Sequence, residues 1–378
     1  VFTVTVDCDF LIVGAGISGA GAAFELSRYG ETILLEAESQ PGYHSTGRSA
    51  ALYTRFYGNP VVRALSQASL PFLENPPAGF ADHPLLSPRG AISLAPPEAP
   101  DLVETVLALD ASGTQIVEIS PRKALELMPI LKPEAIGRAV YEEGVFDMDV
   151  HAIHRGYLRG AGTRGGKVVT DARVEALEWS HGRWHVRAGG ETYTAPTVVN
   201  AAGAWADEIG RMAGLAPLGL VPKRRTAAVI DLPDGIDLRR APALDQLDND
   251  HYLKPDAQRL LISPGDATPS PPCDAQPEDL DVAMVADWLE RVTTVQVRRI
   301  VNRWAGLRSF VADNAPVCGA DPLAQGFYWL AGQGGYGIMM SSSLGRAVCS
   351  LITKGELPED IIALGVGEAD LSPARCRS

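Results

Sequence analysis

The chain has 378 residues, a formal net charge of −13 and 46% hydrophobic residues. That length exceeds what one hydrophobic core usually serves, so two lobes are expected. The acidic balance argues against a nucleic-acid or anionic-membrane partner, both of which select basic surfaces, yet leaves room for an anionic small substrate held by local arginines.

The first apolar run, Phe10–Val13, is short and β-branched at its end, and reads as a buried parallel strand. Asp7 and Asp9 precede it without any Lys or Arg, and glycines soon interrupt it. Neither a signal peptide nor a membrane span is therefore expected, and a cytoplasmic location is the default. The loop G-A-G-I-S-G follows, with Gly14 for the tight turn, Gly16 for close approach of backbone to a pyrophosphate and Gly19 for helix–strand packing. Ala20–Arg28 reads as a helix stopped at Gly30, whose free N-terminal N–H groups face the phosphates. Thr32–Leu35 is a second strand, and Glu36 closes it where a carboxylate reaches both ribose hydroxyls.

Pro41–Thr54 is a loop of polar and small residues, and Val61–Phe72 is helical. Asn75–Pro88 is rich in turn residues and leaves the first lobe. Ala91–Leu94 is a strand, Asp101–Leu109 and Pro121–Met128 are helices, and Gly144–Asp149 brings the chain back before a helix from about His151. Lys167–Thr170, Arg173–Trp179 and Trp184–Ala188 read as strands of a small sheet. Thr197–Val199 is a buried strand running into N-A-A-G-A-W-A and a helix from about Ala206. Pro222–Ile230, Tyr252–Pro255 and Leu260–Ser263 suit the second lobe's sheet, followed by a helix over Met284–Arg291. Phe327–Leu330 is a last strand, entering A-G-Q-G-G-Y-G and a helix Ile338–Ile352.

The five cysteines are widely spaced and form no CxxC pair, which reads as free thiols in a reducing compartment. The pairs His151/His154 and His181/His185 have helical ligand spacing but lack a completing Cys or acid, so no metal is expected. The glycine motif alone does not separate FAD from NAD. Its N-terminal place, a second strand–glycine element at Val198–Trp205 and a third at Ala331–Gly337 favour FAD, the last offering a helix N-terminus to the flavin edge that gains negative charge on reduction.

Six segments carry a more specific resemblance: Q-P-G-Y-H-S-T-G-R-S-A-A from Gln40, H-P-L-L-S-P-R from His83, P-K-R-R from Pro222, Y-L-K-P-D from Tyr252, W-A-G-L-R-S-F-V-A-D from Trp304 and Q-G-G-Y-G-I from Gln333. On these the chain resembles the D-amino-acid oxidase/glycine oxidase/sarcosine oxidase (DAO) family of FAD-dependent oxidoreductases, and within it the bacterial D-arginine dehydrogenases most. The resemblance implies an α/β, two-lobe flavoprotein. A discontinuous Rossmann-like FAD lobe would take residues 1–82, 146–217 and 303–378. A substrate lobe on a mixed, largely antiparallel sheet would take 83–145 and 218–302.

It also implies which residues meet a noncovalent FAD. In the first half of the chain these are Ser18, Glu36, Ala37, and the loop His44, Ser45, Thr46, Gly47, Arg48, Ser49, Ala50, Ala51 and Leu52. Val174 would follow through its backbone, then Ala202 and Gly203, and finally Gly334, Gly335, Tyr336, Gly337, Ile338 and Met339. Sarcosine oxidases tether the flavin through a cysteine; Gly306 aligns there, and Cys318 falls later as a buried bystander.

The implied chemistry is oxidation of an amine at Cα–H, with hydride passing to flavin N5 and the imine hydrolysing to an oxo acid. Arg225 and Arg308 match the carboxylate-binding arginines, Tyr57 and Tyr252 the tyrosines that line and close the site, and the Gly306 carbonyl an acceptor for the amine. From the residues alone Arg225 also reads as part of a surface basic cluster with Lys223 and Arg224, whereas Arg308 sits in an apolar setting that favours a functional or paired role. The match fails on the side-chain pocket, which would involve Leu52, Thr54, Ala91, Ala243, Asp245 and Met339. Leu52 stands where D-arginine dehydrogenases have a histidine, Ala91 where they have the glutamate that holds the guanidinium, and Met339 where they have glutamine. Asp245 and Arg55 add charges, on solvent-facing loops or in a redrawn pocket. The expected activity is oxidative deamination of a D-amino acid or a related secondary or cyclic amino acid, with a side-chain preference other than D-arginine. An FAD-dependent 2-hydroxy-acid oxidoreductase is the alternative, and a colourless, non-catalytic or NAD-dependent Rossmann protein a third reading. The electron acceptor is open.

Overall fold

The computed structural model describes residues 5–377; the outermost ends of the expected first lobe, 1–4 and 378, lie outside the described residues. A six-stranded sheet has the order Lys167–Val169, Thr32–Leu35, Phe10–Val13, Thr197–Asn200, Phe327–Ala331, Val317–Ala320. The first five strands are parallel and the last is antiparallel. Phe10–Val13 is apolar throughout because both faces of this sheet are covered. Leu11 and Val13 pack with Trp184, Val186 and Tyr193, while Ile12 packs with Ala22, Ala23 and Leu344 of two helices. Those helices are Ile17–Leu26 and Ser341–Thr353. The opposite face meets a four-stranded sheet, Thr5–Asp7, Glu191–Ala195, Arg183–Ala188 and Val174–Ser180.

One expected strand changes place. Lys167–Val169 pairs in parallel with Thr32–Leu35 at the edge of the six-stranded sheet instead of joining the small sheet. It follows the helix Val150–Gly162, so it returns as the last leg of a crossover, and the small sheet draws on Glu191–Ala195 instead. The first helix begins at Ile17, three residues earlier than expected, because Gly16 is its extended N-cap and Gly19 lies inside it. The C-terminal helix begins at Ser341, three residues later than expected, because 338–340 form a turn.

The second large sheet has nine strands. Val221–Asp231 pairs with Ile300–Phe310 along one edge; along the other it pairs with the short strand Thr268–Pro269 and with Arg259–Ser263, after which Tyr252–Asp256, Ala243–Gln246, Ala91–Ala95, Arg138–Glu142 and Ile116–Ile119 follow in order. Ile300–Phe310 thus belongs by pairing to this sheet, although the expected division put residues from 303 onward in the first lobe. One face carries Ile92, Leu94, Ala228, Leu244, Leu253 and Ile262 and packs on Trp288 and Leu289 of the helix Asp279–Val292. The other face looks toward the first sheet and carries the site.

A buried ion pair ties the C-terminal segment to the first sheet. Asp321 accepts from Trp329 Nε1 at 2.9 Å and from Arg377 Nη2 at 2.7 Å. Burial alone would raise the Asp321 carboxyl, but the Arg377 and Trp329 donors outweigh it and hold it below its usual range. Arg377→Ala is expected to lower stability by about 3 kcal/mol at neutral pH, since it leaves a buried carboxylate without its cation, held only by the Trp329 and Leu323 N–H donors. A depressed carboxyl stabilises above its unfolded pKa and loses that contribution as acid protonates it, so the difference from the parent should shrink below about pH 4. Denaturant midpoints at several pH values check this.

Candidate active site

A cavity open to solvent lies where the helix Ile17–Leu26, the loop 42–50, the segment 201–205 and the loop 331–338 meet the free face of the nine-stranded sheet. At its cofactor end Gly14 has φ +98°, and a Cβ there would stand 2.6 Å from the Ala201 carbonyl oxygen. A Cβ on Gly19 would stand 1.9 Å from the Gly14 carbonyl oxygen, so the helix seats directly on the turn. No side chain caps Gly16, and the Ile17 N–H donates to Thr46 Oγ1 at 3.0 Å. Glu36 is pinned at the rim, accepting from the Ala15 N–H and the Glu38 N–H, each at 3.0 Å. Burial lowers the proton affinity of His154, and its Nε2 donates to the Ala15 carbonyl at 2.8 Å. His44 bonds Glu38 at 2.9 Å and leans on Trp205 with ring centroids 4.7 Å apart.

These residues fit an FAD. The turn has no room for side chains, the acid stands at the ribose end, and one buried donor on the wall, Gln333 Nε2, lacks a partner. Among the described residues no cysteine lines the cavity. Cys318 is buried within the edge strand Val317–Ala320 of the six-stranded sheet, where burial pushes its thiol up to about 12.

The substrate end follows from strand register. Directly paired residues on neighbouring strands share a face. Arg225 pairs with Gly306, and Lys223 with Arg308, which places Arg225, Gly306 and Arg308 together on the cavity face. Arg224 points the other way and is held by Asp266, Glu278 and Asp281. The basic run therefore divides by pleat, so the reading of Arg225 as one member of a surface cluster does not hold. Arg225 Nε donates to the Asp266 carbonyl at 2.7 Å, and Arg308 donates to the Tyr57 hydroxyl. Among the described residues neither has a carboxylate within 4.0 Å. Burial, and after it the charge of Arg308, lowers Arg225 from its ordinary value. Burial also opposes the charge on Arg308, but the oxygens of Tyr57 and Tyr252 outweigh it and raise its proton affinity. Two sheltered cations side by side make a strong seat for an anion.

Most of the expected cofactor residues line this cavity. They include Gly14, Gly16, Ser18, Glu36, Ala37, His44, Ser45, Thr46, Arg48, Ser49, Ala50, Val174, Ala202 and Gly203, with Gly334, Gly335, Gly337 and Ile338 from the last loop. Gly19, Gly47, Ala51, Leu52, Tyr336 and Met339 are not among the residues that line it. Tyr252 lines it, and Tyr57 lies at its edge against Tyr336, ring centroids 4.9 Å apart.

The side-chain region differs from expectation. Asp245 is not on a loop: it sits within the strand Ala243–Gln246, paired with Tyr252 on one side and Ser93 on the other, and Ser93 Oγ donates to it at 3.0 Å. Arg55 is exposed and bonds Gln115. Ala91, the position without a carboxylate, pairs with Ala243 and with Glu142 of the next strand. Thr54 Oγ1 contacts both Glu142 oxygens, at 3.0 and 2.9 Å. Burial pushes Glu142 up to about 7 and Asp245 up to about 6. Sequence reasoning missed Glu142 because its neighbourhood depends on pairing between strands about fifty residues apart, which no local pattern announces. Gln333 was read as part of a glycine loop, with no signal for its side chain.

The FAD dependent oxidoreductase (DAO) family model matches residues 9–351. Human mitochondrial dimethylglycine dehydrogenase is 26% identical over 378 residues, covering 94% of this chain and 43% of its own, so this chain spans less than half of that relative. The glycine oxidase of Geobacillus kaustophilus (strain HTA426) is 24% identical over 366 residues, covering 93% of this chain and 95% of its own. Among solved structures, the L-proline dehydrogenase from P. horikoshii shares the fold with a TM-score of 0.84 at 19% identity, over 99% of both chains. The matched region takes in the glycine cradle, Glu36 and both cavity arginines, and the chain belongs to the FAD dependent oxidoreductase (DAO) family, with FAD as its cofactor.

Proposed function

We propose that the enzyme oxidises the Cα–N bond of an amino acid, a D-amino acid or a related secondary amino acid, to the imine. The observation that carries this is the pair Arg225 and Arg308, sheltered on the cavity face with no carboxylate partner among the described residues. A substrate carboxylate satisfies both cations at once, and a planar guanidinium binds it in a defined orientation. Bound FAD supplies the acceptor for two electrons. The protein's own part is positioning. The arginines would hold the carboxylate, Tyr57 and Tyr252 would enclose it, and Gly306, the strand partner of Arg225, is the residue whose carbonyl would accept from the amine. Glycine oxidase and L-proline dehydrogenase, by their names, act on a primary and a secondary amino acid, and both kinds carry the carboxylate this seat requires.

The side-chain end favours a polar or cationic group over an aliphatic one. Glu142 and Asp245 share the face of Arg225 and Tyr252; of the nearby cations Lys254 and Arg89 are held by Asp147, while Arg55 bonds Gln115 through its side chain and donates its backbone N–H to Glu142 at 3.4 Å. The strands of Arg225 and Asp245 are three spacings apart in the sheet, roughly 14 Å between backbones. A substrate touching both ends therefore carries its polar group several bonds from Cα.

Anaerobic bleaching of the flavin by a panel of D- and L-amino acids, N-alkyl amino acids and 2-hydroxy acids tests the reaction. Bleaching by amino acids and not by hydroxy acids is the expected result; the reverse would replace amine by alcohol oxidation. Cationic substrates should bind more tightly as pH rises through about 6 to 7, because both acids then ionise, while neutral ones should show no such step.

A further inference from the structure

Several buried side-chain nitrogen and oxygen atoms among the described residues lack a hydrogen-bond partner, and of these Gln333 Nε2 alone belongs to a residue lining the cavity. Gln333 stands in the loop between the strand Phe327–Ala331 and the helix Ser341–Thr353. Its Oε1 accepts from Ser18 Oγ at 2.7 Å, and its backbone carbonyl accepts from the Tyr336 N–H at 3.0 Å. A Cβ on Gly337 would come within 2.7 Å of that Oε1, so the loop closes on the amide and holds it in place. Turning the amide over would set Nε2 on Ser18 and leave the carbonyl without a partner, so one end is unsatisfied in either orientation. A buried amide group without a partner is costly, and a fold does not leave that cost standing without a return.

We propose that Gln333 binds the cofactor through its side chain: Nε2 donates to an oxygen of the ribityl–pyrophosphate stretch of FAD, and the cofactor is the missing partner. The location argues for that stretch. Ser18, which holds the other end of the amide, lies in the first turn of the helix whose N-terminus faces phosphates, whereas Arg308 is approached by Gly335, two residues further on. Through Ser18 the amide also joins the first and last glycine elements of the chain, 315 residues apart. The inference rests on FAD as cofactor and not on which amine is oxidised.

Two roles predict opposite orders among variants. In a structural role Gln333 only holds Ser18, so Gln333→Glu, which still accepts from Ser18, behaves like the parent, while Ser18→Ala and Gln333→Leu are both impaired. In a direct role Gln333→Glu is the worst, because it loses the donor and sets a negative charge toward cofactor oxygens. FAD release from the diluted holoenzyme, followed by the rise in flavin fluorescence, measures this without turnover. Release about tenfold faster in Gln333→Leu, and faster still in Gln333→Glu, is expected. Release from Gln333→Glu at the parental rate would overturn the proposal, as would unchanged release from Gln333→Leu with only a raised substrate KM. Purification of Gln333→Glu as folded apoprotein that takes up FAD only weakly, with the thermal midpoint of the parental apoprotein, would also support it.

Discussion

Replacing Arg308 by methionine is expected to lower kcat/KM for the carboxylate substrate about a hundredfold or more while FAD stays bound. Arg308 has no acidic partner among the described residues, so its charge is free for a ligand, and its removal leaves a substrate carboxylate facing Arg225 alone. A charge-assisted pair lost in a sheltered site costs about 3 kcal/mol, which is two orders of magnitude in rate. The loss should fall on kcat as well as KM, because a carboxylate held at one point swings the Cα–H away from the reacting position. Lysine restores charge without the planar fork, so Arg308→Lys should recover part of the binding and little of kcat. Stopped-flow reduction gives both parameters, and the flavin-to-protein absorbance ratio confirms loading. An Arg308→Met enzyme with parental kcat/KM would remove the basis for a carboxylate substrate.

The cofactor end was legible in the sequence because its constraints are local. Gly14, Gly16 and Gly19 lie within six residues, and Glu36 follows one helix and one strand later, so a single crossover unit carries the signal. The substrate end is assembled by register across a nine-stranded sheet. Arg225 and Arg308 were identified through resemblance; their convergence depends on pairing of Val221–Asp231 with Ile300–Phe310, a strand whose I-V-N-R-W-A-G-L-R-S-F sequence shows no apolar run. Asp245 looked like a loop charge because the strand Ala243–Gln246 is only four residues long and set among prolines and acids. Glu142 had no local signal at all, and it is the residue that places a carboxylate beside Ala91. Reading Ala91 alone suggests a pocket stripped of charge, whereas the sheet moves a charge one strand over.

The glycine cradle yields the second large effect, and two of its glycines should separate folding from cofactor binding. Gly19→Ala places a methyl 1.9 Å from the Gly14 carbonyl oxygen, which is backbone of the turn itself and cannot rotate aside. The helix Ile17–Leu26 must lift from the strand Phe10–Val13, unseating Ala22 and Ala23 from Ile12. A cost on the order of 3 kcal/mol or more is expected, together with poor recovery of folded protein even when FAD is added. Gly16→Ala is different. Its methyl would meet only Thr46 Oγ1 at 3.3 Å, a side-chain atom on the loop 42–50 that can shift by a few tenths of an ångström. The apoprotein should fold with a thermal midpoint close to the parent's. The methyl nevertheless stands where the backbone approaches the pyrophosphate, so FAD affinity should fall at least about tenfold. If Gly16→Ala kept parental FAD affinity, the phosphates would have to sit elsewhere than at this turn. If Gly19→Ala folded normally, close seating of the helix on the turn would not be what the third glycine provides.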